Sequence, residues 1–405
     1  MALNGIGETH HAAGHPEQAR AHHSGDRAAE AQALTSLGVV YWQQGRYERA
    51  VDHHQQALVL FREIGHRSGE AHALSNVGLV YSRQGYYERA VDHHQQALVL
   101  FREIGHRDGE AHALDKLGLV YRRQGYYERA VDHHQQALVL FREIGHRSGE
   151  AHALDNLGLV YRQQGYYERA VDHHQQALVL FRQIGHRSGE ADALDNLGHV
   201  YFQQGRYPQA ADHHQQALAL CREIGHRDGE ANALDNLGHV HFRQGYYPLA
   251  VDHHQQALAL CREIGYRAGE ADVLASLGFV YFRQGYYPLA VDHHQQALAL
   301  FCEMGYRGGE AKALNGVGET HRAIGQLREA HIQHTAALTL ATQIGDRYEQ
   351  ARAHNGLAHT HYGACELDQA RHHWRHALTV YTDLGVPDAE DIQAHLTALD
   401  HHNGD

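Results

Sequence analysis

The chain has 405 residues with a formal net charge of −13, and 43% of its residues are hydrophobic. This negative balance argues against a nucleic-acid duplex as the partner of the whole surface. No apolar run approaches the roughly 20 residues that span a bilayer, and the first residues lack the charged and apolar regions of a signal peptide. We therefore expect neither a nucleic-acid nor a membrane partner.

A forty-residue pattern repeats along most of the chain, and residues 2–10 (ALNGIGETH) are close to residues 313–321 (ALNGVGETH). A fixed period of this length indicates a stacked array, in which each unit buries its apolar face only against its neighbours. We expect residues 1–29 to form a degenerate N-terminal half-repeat, residues 30–385 a nine-repeat array, and residues 386–405 a capping helix and tail. One leucine per copy marks the period: Leu34, Leu74, Leu114, Leu154, Leu194, Leu234, Leu274 and Leu314.

Each copy predicts two helices. Small and apolar residues recur at steps of three and four within residues 71–81, which predicts a first helix. Gly85 interrupts the pattern, residues 90–101 predict a second helix, and Gly105 is expected to end it as a C-terminal cap. In three later copies a proline stands at the start of the second helix, where its missing N–H costs no hydrogen bond: Pro208, Pro248 and Pro288.

The four cysteines do not indicate disulfides. Cys221 and Cys261 stand where other copies have phenylalanine, as at Phe101. Neighbouring helices in a stack lie about 8–10 Å apart, beyond the roughly 7 Å between Cα atoms that a disulfide bridges. We interpret all four, including Cys302 and Cys365, as small apolar fillers, and we expect a reducing, cytoplasmic compartment.

The repeating pattern resembles the tetratricopeptide repeat (TPR), in a forty-residue form. The family's W-x2-L-G-x2-Y signature reads L-x2-V-G-x2-Y at residues 74–81, and its A-x3-F reads A-x3-H at residues 90–94. Leucine thus replaces the tryptophan, and histidine replaces the phenylalanine. The resemblance implies an all-α, right-handed superhelical solenoid of helical hairpins, whose concave groove is lined by the first helices.

The C-terminal part, residues 313–392, resembles the TPR arrays of actinobacterial SARP-like antibiotic-regulatory transcription regulators. The resemblance rests on the segments ALNGVGETH, HHWRHAL and YTDLGVPDAEDI. In such regulators winged-helix and NTPase modules lie upstream, and the array serves as a sensor or interaction arm. The chain has no G-x4-GK[ST] loop and no basic recognition helix, so the resemblance implies the interaction role alone.

Differences among the copies gather on the predicted first helix. With Leu74 taken as position 4, they concentrate at positions 2, 5, 6, 9, 12 and 13, which line the concave groove in the family that the chain resembles. Position 12 shows a basic block followed by an aromatic block, and we interpret this row as part of a binding surface. In chain order it holds Trp42, Ser82, Arg122, Arg162, Phe202, Phe242, Phe282, Arg322 and Tyr362.

Asparagines at position 6 predict a grip on a peptide backbone. An asparagine amide offers donors and an acceptor, so it can bind the N–H and the C=O of one peptide unit, and superhelical proteins of the resembling family use asparagine here in that way. The alternative is that these side chains cap local backbone or face water. They are Asn76, Asn156, Asn196 and Asn236.

Neighbouring side chains would then select the ligand. Arginine matches a carboxylate with its planar fork, and phenylalanine can accept an apolar anchor. Aspartates at position 5, such as Asp115 and Asp155, leave open that the arginines are neutralised within their own row. We expect a protein or peptide ligand with an acidic part and an apolar part. The candidate residues besides the asparagines are Arg83, Arg122, Arg123, Arg162, Phe202, Phe242, Phe282 and Tyr362.

The chain contains 42 histidines, many of them in the recurring segment D-H-H-Q-Q. Adjacent residues diverge by about 100° on a helix, so such a pair cannot chelate one ion, which needs i,i+4 spacing. We interpret the second histidine of each pair, such as His94, as a hydrogen-bonded core residue and assign no metal site. An ion shared between repeats is the alternative. Because histidines that are buried neutral lose stability on acidification, the array is expected to soften between about pH 6 and 5.

No cluster of acid, base and nucleophile departs from the period, so we expect no enzyme and no cofactor. The expected function is a protein–protein interaction module that binds an extended segment in its groove, as the adaptor or sensor arm of a regulatory system. The alternative is a self-assembling structural scaffold, a homo-oligomer that forms through uncapped repeat ends, the poorly capped N-terminal end above all.

Overall fold

The chain folds into helical hairpins. This computed structural model describes residues 16–402, and the side chains of residues 26–399. Nineteen α-helices and no strand lie in the described range. The first helices of the hairpins are α1 (Pro16–Gln43), α3 (Arg67–Arg83), α5 (Arg107–Arg123), α7 (Arg147–Gln163), α9 (Arg187–Gln203), α11 (Arg227–Arg243), α13 (Arg267–Arg283), α15 (Arg307–Ala323) and α17 (Arg347–Gly363).

From α3 onwards, the second helix of each hairpin has the same length as the first or one residue more, whereas α1 with 28 residues is longer than α2 with 17. The second helices are α2 (Tyr47–Glu63), α4 (Tyr87–Glu103), α6 (Tyr127–Glu143), α8 (Tyr167–Gln183), α10 (Tyr207–Ile224), α12 (Tyr247–Ile264), α14 (Tyr287–Met304), α16 (Leu327–Ile344) and α18 (Leu367–Leu384), and α19 (Asp388–His402) follows the last hairpin.

The chain divides into two compact units, residues 1–196 and residues 197–405, with the boundary inside α9. In the first unit each helix from α1 to α8 packs on the next one along the chain, and in the second unit the helices from α10 to α19 do the same. This sequential packing is the arrangement that a fixed repeat period predicts.

The first helices also contact one another. In the first unit α3 contacts α5 and α5 contacts α7, and in the second unit α11, α13, α15 and α17 follow the same order. The second helices of the described residues make no comparable contacts with each other. Each unit therefore has an inner side lined by first helices, and the variable positions of the repeat belong to these helices.

Glycines in the left-handed conformation end the helices as predicted. Gly85 and Gly105 have φ of +81° and +67°, values that only glycine adopts without strain. The prediction that Pro208, Pro248 and Pro288 stand in the first turn of a second helix is confirmed at α10, α12 and α14.

A glycine of each first helix lies directly against a histidine of the paired second helix. The His134 side chain is fully buried, and a methyl group placed on Gly118 would lie 2.6 Å from its Cε1 and Nε2 atoms. The same contact recurs between Gly78 and His94. The prediction that the second histidine of each pair is a core residue is confirmed, because the missing glycine side chain leaves the space that the imidazole fills. The predicted hydrogen bond is present at His134, but Nδ1 of His54, His94 and His294 has no hydrogen-bond partner among the described residues, so this part of the prediction is wrong for these three.

The two ends of the array differ from the middle. The predicted boundary at residue 29 falls inside the continuous helix α1, and the part of the predicted half-repeat before Pro16 lies outside the described residues. At the other end, α19 buries three apolar residues in a cluster with Trp374 and Tyr381. These residues are Ile392, Leu396 and Leu399.

The interpretation of the cysteines as buried fillers is confirmed for two and wrong for two. Cys221 and Cys261 are buried, whereas Cys302 and Cys365 are exposed, and all four are free thiols. Cys302 follows Phe301, which itself occupies the core position. Cys365 has φ of +63° in a turn where most other copies have glycine, so its side chain is directed away from the stack.

We expect Gly118→Ala to destabilise the array. The added methyl group meets the buried ring of His134, and overpacking of this kind costs about 1–3 kcal/mol. Gly308→Ala is the matched control, because a methyl group there meets nothing closer than 3.7 Å and alanine favours a helix. Thermal unfolding followed by circular dichroism compares the two. Equal midpoints for both variants would contradict the close contact.

Candidate functional site

The four asparagines of position 6, Asn76 among them, are half-buried, and three of them are bonded to the preceding repeat. The Nδ2 atom of Asn156 lies 3.1 Å from Oδ1 of Asp115, and that of Asn196 lies 3.0 Å from Oδ2 of Asp155. In the second unit, Nδ2 of Asn236 lies 3.3 Å from Nε2 of His199. These side chains therefore neither cap local backbone nor simply face water, and their contact with a peptide stays a prediction.

Two aspartates of position 5 bond to core histidines and not to the arginine row. Oδ1 of Asp115 lies 2.7 Å from Nδ1 of His134, and Oδ1 of Asp155 lies 2.6 Å from Nδ1 of His174. Each carboxylate thus connects the core histidine of its own hairpin to an asparagine of the next repeat. The alternative of neutralised arginines therefore does not hold for Asp115 and Asp155, but it stays a hypothesis for Asp195, whose charge acts on Arg162.

Burial and hydrogen bonding have opposite effects on the pKa values of the aspartates and histidines in this network. Burial by itself would raise the pKa of Asp115, but its contacts with His134, Lys116 and Asn156 together lower that pKa. In the second unit, the contacts of Asp235 with His239 and His254 lower its pKa against the effect of burial, and burial lowers the pKa of His254 despite its bond to Asp235. In the pair of Asp235 and His254 the aspartate is therefore the charged member and the histidine the neutral one near pH 7.

Two arginines of position 12 are half-buried. The Nε atoms of Arg122 and Arg162 are buried without a hydrogen-bond partner among the described residues. Burial lowers the pKa of Arg122, and the charges of Arg123 and Arg162 lower it further. Burial also lowers the pKa of Arg162, with Asp195 acting in the opposite direction.

The other two predicted arginines are exposed, and each contacts a residue of the preceding repeat. The guanidinium carbon of Arg83 lies 5.7 Å from the centre of the Trp42 ring. Nη1 of Arg123 donates to the carbonyl oxygen of Ser82 at 3.1 Å. All four arginines belong to the first unit. Of these four, Arg122 and Arg162 are the half-buried ones whose Nε atoms lack a hydrogen-bond partner.

The aromatic residues of position 12 other than Trp42 belong to the second unit. The rings of Phe202, Phe242 and Phe282 are half-buried, because each lies 5.7–5.8 Å from the tyrosine that begins the paired second helix. Arg243 lies over the ring of Phe202 at 5.8 Å. Tyr362 is 49% exposed. The row therefore offers aromatic surface that is fixed by packing on one side and open on the other.

Three residues that sequence reasoning missed lie together in the first unit. Asp108, His112 and His146 each place one possible metal-ligand atom within 4.8 Å of the other two. The i,i+4 spacing of Asp108 and His112 was a signal in the sequence. The sequence gives no such signal for His146, because this residue lies thirty-four residues beyond His112 and reaches the site only through the stacking of two repeats.

The comparisons agree with this architecture. Seven overlapping matches to a model of the tetratricopeptide repeat extend from residue 29 to residue 343, and a second tetratricopeptide model matches residues 5–22. The chain therefore belongs to the tetratricopeptide repeat family, and the prediction of an all-α array of such hairpins is confirmed. The seven matches are 29–103, 69–143, 109–183, 149–223, 189–263, 229–303 and 269–343.

Solved structures show the same fold at low identity. A Signal Transduction ATPase with Numerous Domains (STAND) protein with a TPR sensor, from Pyrococcus horikoshii, is 14% identical, with a TM-score of 0.61 over 86% of this chain and 54% of that one. The apo quorum sensor NprR from B. thuringiensis is 15% identical, with a TM-score of 0.59 over 84% and 98%.

A Rap protein complexed with the competence and sporulation factor is 16% identical, with a TM-score of 0.56 over 89% of this chain and 99% of that one. No curated protein is significantly similar in sequence. None of the helices in the described part of the chain is long and apolar enough to cross a membrane. The resemblance of the C-terminal part to SARP-like regulators stays a prediction.

The structure extends the pH range over which the array is expected to lose stability to lower pH than the sequence predicted. Burial lowers the pKa of His54 and His334 to about 4, and that of His94 and His294 to about 3. Above pH 6.5 these histidines are neutral in both the folded and the unfolded chain. Below it the unfolded chain binds protons that the folded chain does not, so stability falls as the pH falls from 6.5 to about 4.

We therefore expect the midpoint of thermal unfolding to be constant from pH 8 to 7 and to decrease steadily from pH 6.5 to 4.5. The control His331→Gln removes an exposed histidine and should leave the decrease unchanged. A midpoint that is constant down to pH 4.5 in the wild-type chain would contradict the neutral, buried state of the core histidines.

Proposed function

We propose that this chain is a protein–protein interaction module that binds an extended protein segment along the first helices, as the adaptor or sensor arm of a regulatory system. Membership of the tetratricopeptide repeat family supports a binding role on a repeated surface. The four free thiols fit a reducing compartment, and the proposal places the module in the cytoplasm.

The observation that carries the proposal is the half-buried arginine row of the first unit. Arg122 and Arg162 are partly desolvated, and the charge of Arg162 acts on Arg122 in the unfavourable sense. A carboxylate that enters between them would remove this repulsion and form hydrogen bonds to the planar fork of each guanidinium. An acidic stretch of the ligand is therefore the partner that this surface favours.

The asparagines of the same unit are suited to the backbone of that stretch. Asn156 and Asn196 are each fixed by a hydrogen bond to the aspartate of the preceding repeat. An amide held in this way has donor and acceptor capacity left for a peptide unit. A side chain that is already ordered loses little conformational entropy when the ligand binds.

The aromatic row of the second unit supports an apolar part of the ligand. Phe202, Phe242 and Phe282 recur at intervals of one repeat, and each ring is fixed by a neighbouring tyrosine. Ordered aromatic side chains supply contact area at a low cost in entropy. The solved structures of similar fold include a TPR sensor, a quorum sensor and a Rap protein complexed with a factor, roles that are compatible with ligand binding.

Charge reversal tests the proposal. We expect Arg122→Glu with Arg162→Glu to weaken binding of a Glu-rich extended peptide at least tenfold, because two charge-assisted hydrogen bonds of about 1.5–3 kcal/mol each are lost. The probe is a synthetic peptide with an acidic half and a leucine- and phenylalanine-rich half, and fluorescence anisotropy measures its affinity at constant salt.

The control pair is Arg129→Glu with Arg169→Glu. These arginines are exposed near the start of the second helices of the same two repeats, so the change in net charge is identical. Binding within twofold of the wild type is expected for this pair. Equal weakening by both pairs, or no weakening by the first pair, would remove the arginine row from the site.

Self-assembly is a second candidate function, and α1 supplies its observation. Leu37, Val39 and Val40 are exposed there, whereas Val77 and Val80, the equivalents of Leu37 and Val40, are buried in the next repeat. A second copy of the chain could cover these apolar side chains.

Multi-angle light scattering over a wide range of protein concentration tests this candidate. Assembly through α1 predicts a mass that increases with concentration and that falls to one chain in the variant Leu37→Lys, Val40→Lys. A constant mass of one chain for the wild type contradicts assembly and leaves the interaction module.

A further inference from the structure

Three potential ligand atoms meet where two repeats of the first unit stack. Asp108 lies in the first turn of α5, His112 lies one turn further along, and His146 directly precedes α7. Oδ1 of Asp108 lies 3.4 Å from Nδ1 of His146 and 3.8 Å from Nε2 of His112. The repeat stacking, rather than a local motif, brings the three together.

Neighbouring repeats contain the two histidines without the aspartate. His72 faces His106 and His152 faces His186, with ring centres 5.8 and 5.4 Å apart, compared with 5.4 Å for His112 and His146. The residue equivalent to Asp108 is a serine in both cases. The first unit therefore has three edge-to-face histidine pairs of this kind, and only the pair of His112 and His146 has a carboxylate beside it.

His146 also differs from its equivalents in its hydrogen bonding. Nδ1 of His106 and of His186 each accepts the backbone N–H of the glycine three residues later at 2.9 Å, which caps the helix that follows. His146 makes no such cap, and its Nδ1 is buried without a hydrogen-bond partner. This atom lies 3.4 Å from Oδ1 of Asp108.

We propose that Asp108, His112 and His146 bind a divalent transition-metal ion, and that this ion is Zn²⁺. Two imidazoles and one carboxylate are a ligand set that zinc favours. Ligand atoms at about 2.0–2.2 Å from a tetrahedral ion lie about 3.4 Å apart, which the pair of Asp108 and His146 already matches. A small rotation of His112 completes the set, and water occupies the fourth position.

The placement of the three ligands gives a bound ion a structural role. Asp108 and His112 belong to α5 and His146 precedes α7, so the ion joins two repeats. Zn²⁺ therefore stabilises the folded array, since the unfolded chain does not hold the three ligands together.

The repeat supplies the test, because serine is the natural residue at this position in the adjacent copies. The full-length chain is freed of metal with a chelator and titrated with ZnSO4 at pH 7.5 by isothermal calorimetry. The wild type should bind one ion more tightly than the background of exposed histidines. In Asp108→Ser this event should weaken at least about tenfold, and the increase in thermal midpoint caused by Zn²⁺ should disappear.

A gain-of-site variant covers the case in which Asp108→Ser perturbs the fold. Ser148→Asp places a carboxylate beside His152 and His186, and it should raise the number of tightly bound ions from one to two. Unaltered affinity in Asp108→Ser, no tight event in the wild type, or one ion still bound by Ser148→Asp would each overturn the proposal.

Discussion

The stack depends on a contact that leaves no room for a methyl group. In hairpin after hairpin, a glycine of the first helix lies against a fully buried histidine of the second, as Gly118 lies against His134. A larger residue on the first helix would separate the two helices, and a larger ring on the second would do the same. This contact fixes the distance within a hairpin, and its repetition makes the hairpins alike.

The same histidine explains how one hairpin is joined to the next. An imidazole buried in a helix interface needs a hydrogen-bond partner, and Asp115 supplies it to His134 while it also accepts from Asn156 of the following repeat. This aspartate therefore bonds within the stack and not to an arginine of position 12.

A repeated frame also lets a single substitution create a new site. Histidine pairs recur at the stacking edge of the first unit with nearly constant ring separation. Aspartate in place of serine at residue 108 adds the third ligand of the proposed site. Sites of this kind arise from the differences among copies, whereas the fold arises from what the copies share.

The sequence by itself determined the hairpins, their period, the helix-ending glycines and the burial of the second histidine, because these depend on local spacing and on residue size. It also indicated which positions of the repeat differ among the copies. Only the tertiary structure decided that Asp115 bonds to His134 and Asn156, that Cys302 and Cys365 face outwards, and that His146 meets Asp108. The physical reason is that these outcomes depend on side-chain directions between stacked repeats, and the linear spacing of residues does not contain the angle at which one hairpin packs on the next.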